Sequence, residues 1–236
     1  MVTVGREATM YFDSYYLALV VPALLLSLFA QFLVSSAFST YSKARSSRGI
    51  SGRETAALLL RQNGIQDVRI EETEGSLTDH YDPSSKTLRL SRSVYASPSI
   101  AAIGVAAHET GHAIQHARGY GPLVLRSALV PAANLGSSAG PILAVLGIAA
   151  ANEFLVTLGI ILFSAAVLFY FITLPVEFDA SRRAVALLKD NAVLSGGELA
   201  GVKKVLTAAA LTYVASALTA VANLLRLILL SRNRRR

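Results

Sequence analysis

Phe154-Leu-Val-Thr-Leu-Gly-Ile-Ile-Leu-Phe-Ser-Ala-Ala-Val-Leu-Phe-Tyr-Phe-Ile-Thr-Leu174 runs without a charge, and Pro175-Val-Glu177 follows it directly. About 20 apolar residues cross a hydrocarbon core, so this stretch reads as a membrane helix with a carboxylate at its exit. Upstream, Ser127–Ala150 is a second apolar stretch, interrupted by Pro131, Asn134 and Pro141, and Ala151-Asn-Glu153 joins the two into a hairpin. Tyr15–Val34 is another, with Gln31 as its strongly polar residue, and Val205–Leu230 is the last, interrupted by Arg226. Ser35-Ser-Ala37 is a passable signal-peptidase site. The apolar core before it is longer than the roughly 7–15 residues of a signal peptide, which favours a retained anchor.

Composition agrees. Of 236 residues 53% are hydrophobic and 16% charged, against about 25% charged in soluble domains. This excludes a disordered chain and argues for an integral membrane protein. The absence of Cys removes disulfides, thiolate metal sites and Cys nucleophiles, so a metal must be held by the four His or by carboxylates. The net charge of +7 fits anionic lipid. The tail Arg232-Asn-Arg-Arg-Arg236 is too short for a nucleic-acid site, so the partner is the lipid bilayer and no nucleic acid is expected.

The polar segments lie at 35–126 and 175–204. Ser51-Gly-Arg-Glu54 is a capping box and Asn63-Gly64 a stop, predicting a helix over about 52–63. Alternation at Val68 and Ile70, then at Leu88 and Leu90, predicts strands around an Asp82-Pro-Ser-Ser85 turn. Ser97-Pro98 predicts an N-cap with Pro at the first helical position, and a helix through about Ala117. Pro175 is expected to start a helix to about Lys189, and Ser195-Gly-Gly-Glu198 to cap another that runs into the last apolar stretch. The chain therefore divides into 1–34, an N-terminal region with the first transmembrane helix, and 35–126, a catalytic α/β region. Residues 127–174 form a transmembrane hairpin, 175–204 a further helix with its connection, and 205–236 a C-terminal transmembrane or interfacial helix with a basic tail.

The chemistry lies in His108-Glu-Thr-Gly-His112, inside the 98–117 helix. Spacing of four puts both imidazoles on one helix face, able to grip one zinc ion. Glu109 lies on the adjacent face, in the place of a general base toward a metal-activated water. The flanks Ile100-Ala-Ala-Ile-Gly-Val-Ala-Ala107 and Ala113-Ile114 are apolar. Two His and a Glu buried there cost several kcal/mol unless something pairs them; a metal does so.

A catalytic zinc takes a third protein ligand and keeps one open position. His116 is excluded, because on a straight helix it lies about 12 Å along the axis from His108. His80 is one candidate. Glu177 is the better one, because the hairpin brings 175–204 back to the face that carries 35–126. Asp179, on a different helix face, is placed as an acceptor for a ligating His N–H.

With these residues in view, the chain resembles the YugP-like membrane zinc metallopeptidases, which are distantly similar to the HtpX-like and CAAX-prenyl endopeptidases. The likeness covers Tyr41–Gly49, Asp79-His-Tyr-Asp-Pro83, Ile100–Gln115, Leu123–Pro131, Leu158–Val167, Leu174–Ala184 and Ala208–Val214. It implies His108, His112 and Glu177 as metal ligands, Glu109 as catalytic base, one Zn2+ per chain and a peptide or membrane-protein substrate. The related peptidases often carry an Asp four residues after the ligand Glu; here that position is Ser181.

The expected fold is an α-helical membrane protein with a small α/β zincin-like catalytic domain at the membrane surface. The expected function is zinc-dependent endopeptidase, the alternative a non-catalytic zinc-binding membrane scaffold or partner-binding subunit. Lys86–Ser91 is expected as an edge strand that receives an extended substrate. His80 and Tyr81 serve either the hairpin or the cleft, Tyr213 packing or a transition state, and Arg182 and Arg183 lipid phosphates or a substrate carboxylate. Lys43, Arg45, Arg48, Arg53, Arg118 and Arg126 share the motif's side with Arg182, Arg183, Lys189, Lys203 and Lys204. The positive-inside rule then puts the site on the cytoplasmic side of the cell (plasma) membrane. A fourth span would carry the terminal Arg cluster outside, against that rule, so 205–230 reads either as a fourth span, which is preferred, or as an interfacial helix.

Overall fold

The computed structural model describes residues 13–233; residues 1–12 and the end of the basic tail, Arg234-Arg-Arg236, lie outside the described residues. The elements are α1 (Tyr16–Ser42, its first turn a π-helix), α2 (Gly52–Gln62), β1 (Arg69–Thr73), β2 (His80–Asp82) and β3 (Thr87–Ser91). Then come α3 (Arg92–Tyr95), α4 (Ile100–Ala117), α5 (Gly121–Ala149), α6 (Glu153–Asp190) and α7 (Gly196–Asn233). The protein is mostly α-helical, with a small mixed sheet beside α4. Among the described residues, α1, α5, α6 and α7 are long and apolar enough to cross a membrane. They leave large side chains such as Leu28, Phe32, Phe154 and Ile161 on their outer surfaces. Water would penalise such surfaces and lipid does not, so the chain has integral-membrane character.

The chain forms two compact units. One comprises 1–30, 125–173 and 212–236, the other 31–124 and 174–211. In the first, α5 and α6 meet backbone to backbone. A Cβ on Gly136 would lie 2.2 Å from the Leu162 carbonyl oxygen, and one on Gly159 would lie 2.4 Å from the Ala144 nitrogen. Small residues permit this approach where lipid offers no hydrophobic drive. Arg226, the charge inside the last apolar stretch, pairs with Asp13 at 2.7 Å and lies over the Tyr16 ring. That pairing is how a cation is tolerated on α7.

The second unit is built around α4. Ile100, Ile103 and Ala107 pack with Leu59, Leu188, Val202 and Leu206, while Ala102 and Ala106 pack with Ala56, Leu88, Leu90 and Val94. One side of α4 thus meets α6 and α7 and the other meets α2 and the sheet. That is why its first two turns, Ile100–Ala107, are apolar all round. Each fully buried Leu or Ile in these clusters contributes about 1.5–3 kcal/mol.

Several sequence expectations hold. The Ser51–Glu54 capping box is formed and opens α2. Ser195 precedes α7, its N–H donating to Glu198 at 2.6 Å, and that helix does run on through the last apolar stretch. Three expectations are corrected. The N-cap of α4 is Ser99, whose hydroxyl accepts from the Ala102 N–H, and not Ser97. A single antiparallel bridge to Arg45 holds Ser99 extended, with the Ser46 N–H donating to the Pro98 carbonyl and the Ile100 N–H to the Ala44 carbonyl. Pro175 starts no helix, because α6 runs through it; a long helix supported by neighbours absorbs the missing N–H. The sheet order is β1-β3-β2, with β1 parallel and β2 antiparallel to β3. Lys86–Ser91 therefore leads into the central strand, flanked by β1 along its length and by β2 over Thr87–Arg89, and is not an edge strand.

The backbone of α6 comes against α4 at Gly111, where a Cβ would lie 2.8 Å from the Ala180 carbonyl oxygen. Backbone cannot move aside as a side chain can, so Gly111→Ala is expected to destabilise the protein by about 1–3 kcal/mol. Thermal unfolding of the detergent-solubilised chain reads this as a lowered midpoint.

Candidate metal centre

Three donors converge in the second unit. His108 and His112 come from successive turns of α4, their ring centroids 4.8 Å apart and edge to face. Glu177 comes from α6, two residues past Pro175, and its Oε2 lies 3.3 Å from His108 Nε2 and 3.6 Å from His112 Nε2. One ligand atom from each residue falls within 4.8 Å of the others, and the group is largely buried, Glu177 being only 2% exposed. Among the described residues these three are the group of His and carboxylate donors that comes together, with no fourth.

The far side of each imidazole is also engaged. His108 Nδ1 lies 3.2 Å from Ser181 Oγ, and His112 Nδ1 lies 3.0 Å from Gln115 Oε1. Both rings therefore present Nε2 to the cluster. This donor set fits a zinc ion: two neutral imidazole nitrogens and a carboxylate oxygen, with one of four tetrahedral positions left open. The cluster is thus able to coordinate a metal ion. Glu109 is 7% exposed and its charge reaches His112. Burial favours the neutral form of that imidazole, yet the hydrogen bond to Glu177 and the charges of Glu109 and Glu177 outweigh it. Together with Gln115 they hold His112 above its usual range, so protons compete with a metal for its nitrogen.

The other sequence candidates lie elsewhere. His80 is exposed on β2 with Nδ1 2.8 Å from the Thr78 carbonyl, and it does not join the cluster. Nor does His116, whose Nδ1 lies 2.8 Å from the Tyr81 hydroxyl. That bond ties β2 to the end of α4. Burial first, then the charges of Asp67 and Asp82, push the Tyr81 hydroxyl up to about 12. Asp79 accepts from the Ser91 N–H at 2.7 Å, and Asp82 accepts from the Ser84 N–H at 2.9 Å, so the Asp79–Pro83 block builds the hairpin. Serine donors hold the Asp82 carboxyl well below its ordinary value, whereas burial raises that of Asp79. Tyr213 belongs to the first unit.

Asp179 is not bonded to an imidazole. It accepts from Gln115 Nε2 at 2.9 Å and pairs with Arg182 and Arg183. Sequence reasoning missed Gln115. Its signal was there: the polar residue in an apolar run, three positions after His112 and hence on the same helix face.

A family model described as "Putative neutral zinc metallopeptidase" matches residues 16–232. The chain is 49% identical over 220 residues, 93% of its length, to a Bacillus subtilis (strain 168) protein named "Putative membrane protease YugP", of which 98% is covered. No solved structure matches.

Proposed function

The chain belongs to the neutral zinc metallopeptidase family, and on that footing we propose that it is an endopeptidase hydrolysing peptide bonds at the membrane surface. The observation that carries the reading is the convergence of His108 Nε2, His112 Nε2 and Glu177 Oε2 within 4.8 Å. These residues would hold one zinc ion per chain. A zinc ion there supplies Lewis acidity, lowering the pKa of water toward neutrality and polarising a peptide carbonyl.

Glu109 is the general base. Its carboxylate takes the proton as the water oxygen bonds to the carbonyl carbon, and returns it to the amine nitrogen as the C–N bond breaks. Burial around Glu109 restricts competing water and strengthens its field on the reacting atoms. Ser181 and Gln115, at the outer nitrogens of the two imidazoles, orient the rings. Substrates are peptides or membrane proteins presented at the bilayer. The site faces the cytoplasmic side of the cell membrane, on the argument from Lys and Arg placement. Residues 35–126 and 175–204 carry the catalytic machinery, and the remainder serves as its anchor.

Metal removal tests the reading. The full chain, purified in detergent, should contain about one zinc per chain and cleave an unstructured protein substrate. A chelator should abolish cleavage and added zinc restore it. Undiminished cleavage by metal-free protein would overturn the proposal, and zinc binding without any cleavage would favour the scaffold alternative.

A further inference from the structure

Gln115 is fully buried and hydrogen-bonded on both ends of its amide. Nε2 donates to the Val176 carbonyl at 2.9 Å and to Asp179 Oδ2 at 2.9 Å, while Oε1 lies 3.0 Å from His112 Nδ1. An amide offers two donors and one oxygen. Val176 O and the Asp179 carboxylate are both acceptors, so both N–H groups must face them. Turning the amide over would set its oxygen against two acceptors in a buried site, leaving groups unpaired at about 1–3 kcal/mol each. The oxygen is thereby fixed toward His112, and His112 Nδ1 must donate.

We propose that Gln115 is a positioning residue, locked by Val176 and Asp179, that holds His112 as the Nδ1–H tautomer with the Nε2 lone pair directed at the metal. This rests on the reading of His112 as a metal ligand. Asp179 owes its own placement to Arg183 and Arg182, which pair with it on α6, so the arrangement runs from an exposed arginine to the imidazole. It also joins the two helices that supply the metal ligands, since Gln115 belongs to α4 and both of its acceptors to α6. Ser181, by contrast, has a hydroxyl free to rotate and fixes no tautomer of His108.

Zinc affinity of the full chain in detergent, measured by competition with a chelator, provides the test. Gln115→Met keeps the side-chain volume and is expected to weaken zinc binding by about 10–100-fold. Asp179→Ala should also weaken it, and the double variant should bind no worse than Gln115→Met alone, because both changes break one chain of contacts. Should Gln115→Met fail to fold, nitrogen-15 NMR of the zinc-loaded wild-type protein supplies the readout, with Nδ1 of His112 protonated and Nε2 metal-bound. Affinity within about twofold of wild type in Gln115→Met, additive losses in the double variant, or Nε2 protonated would each overturn the proposal. His112→Ala separates the two failures. If it binds no zinc while Gln115→Met binds normally, the positioning role alone falls; if it binds zinc as wild type does, the metal reading falls with it.

Discussion

Glu109→Gln is expected to keep wild-type zinc content and lose peptide hydrolysis by about 10²–10⁴-fold, the usual contribution of a positioned acid–base group. The loss corresponds to about 3–5 kcal/mol of transition-state stabilisation. The substitution preserves volume while removing the negative charge and with it the capacity to accept a proton, so α4 and its packing stay intact. Glu109 is largely buried beside His108 and acts electrostatically on His112, yet it is not among the three converging donors. Metal analysis and a cleavage assay on the same preparation separate the two effects. Equal activity in variant and wild type would remove Glu109 from the mechanism; a parallel loss of zinc would make it a structural support.

Glu177→Gln is expected to behave in the opposite order. A neutral amide oxygen replaces the carboxylate that faces both imidazoles, and zinc affinity should fall by more than the roughly 10–100-fold that loss of an outer partner costs. Activity then disappears at ordinary zinc concentrations and partly returns when zinc is raised, whereas Glu109→Gln stays inactive at any zinc level. Competition with a chelator, followed by cleavage across a zinc series, distinguishes the two variants. Wild-type affinity in Glu177→Gln would mean that the third ligand is another residue.

Much of this architecture was legible from local pattern. The charge-free run before Pro175, the capping box at Ser51 and the spacing of His108 and His112 are features of contiguous sequence, and each maps to a short-range physical rule. Glu177 was reachable because a hairpin through a membrane returns the chain to a known side, a constraint soluble folds lack. What escaped were pairings between distant segments. β2 is only three residues long and pairs through β3, so alternation could not register it, and the middle position of β3 depends on parallel pairing with β1. Gln115 is recognisable as a partner of His112 only once Val176 and Asp179 of α6 are known to face it. Pro175 misled because its usual role as a helix opener is relaxed inside a long apolar helix.

The contact of Gly111 with Ala180 bears on how such chains are recognised in genomes. In the five-residue pattern that begins at His108, the third and fourth places are conventionally treated as blanks. Here the fourth is dictated by the neighbouring helix, which leaves no room for a methyl group. A search demanding glycine there, and glutamine three places beyond the second histidine, asks for the shape of the helix pair as well as for its metal ligands. It would set aside the many chance occurrences of the bare motif that no second helix approaches.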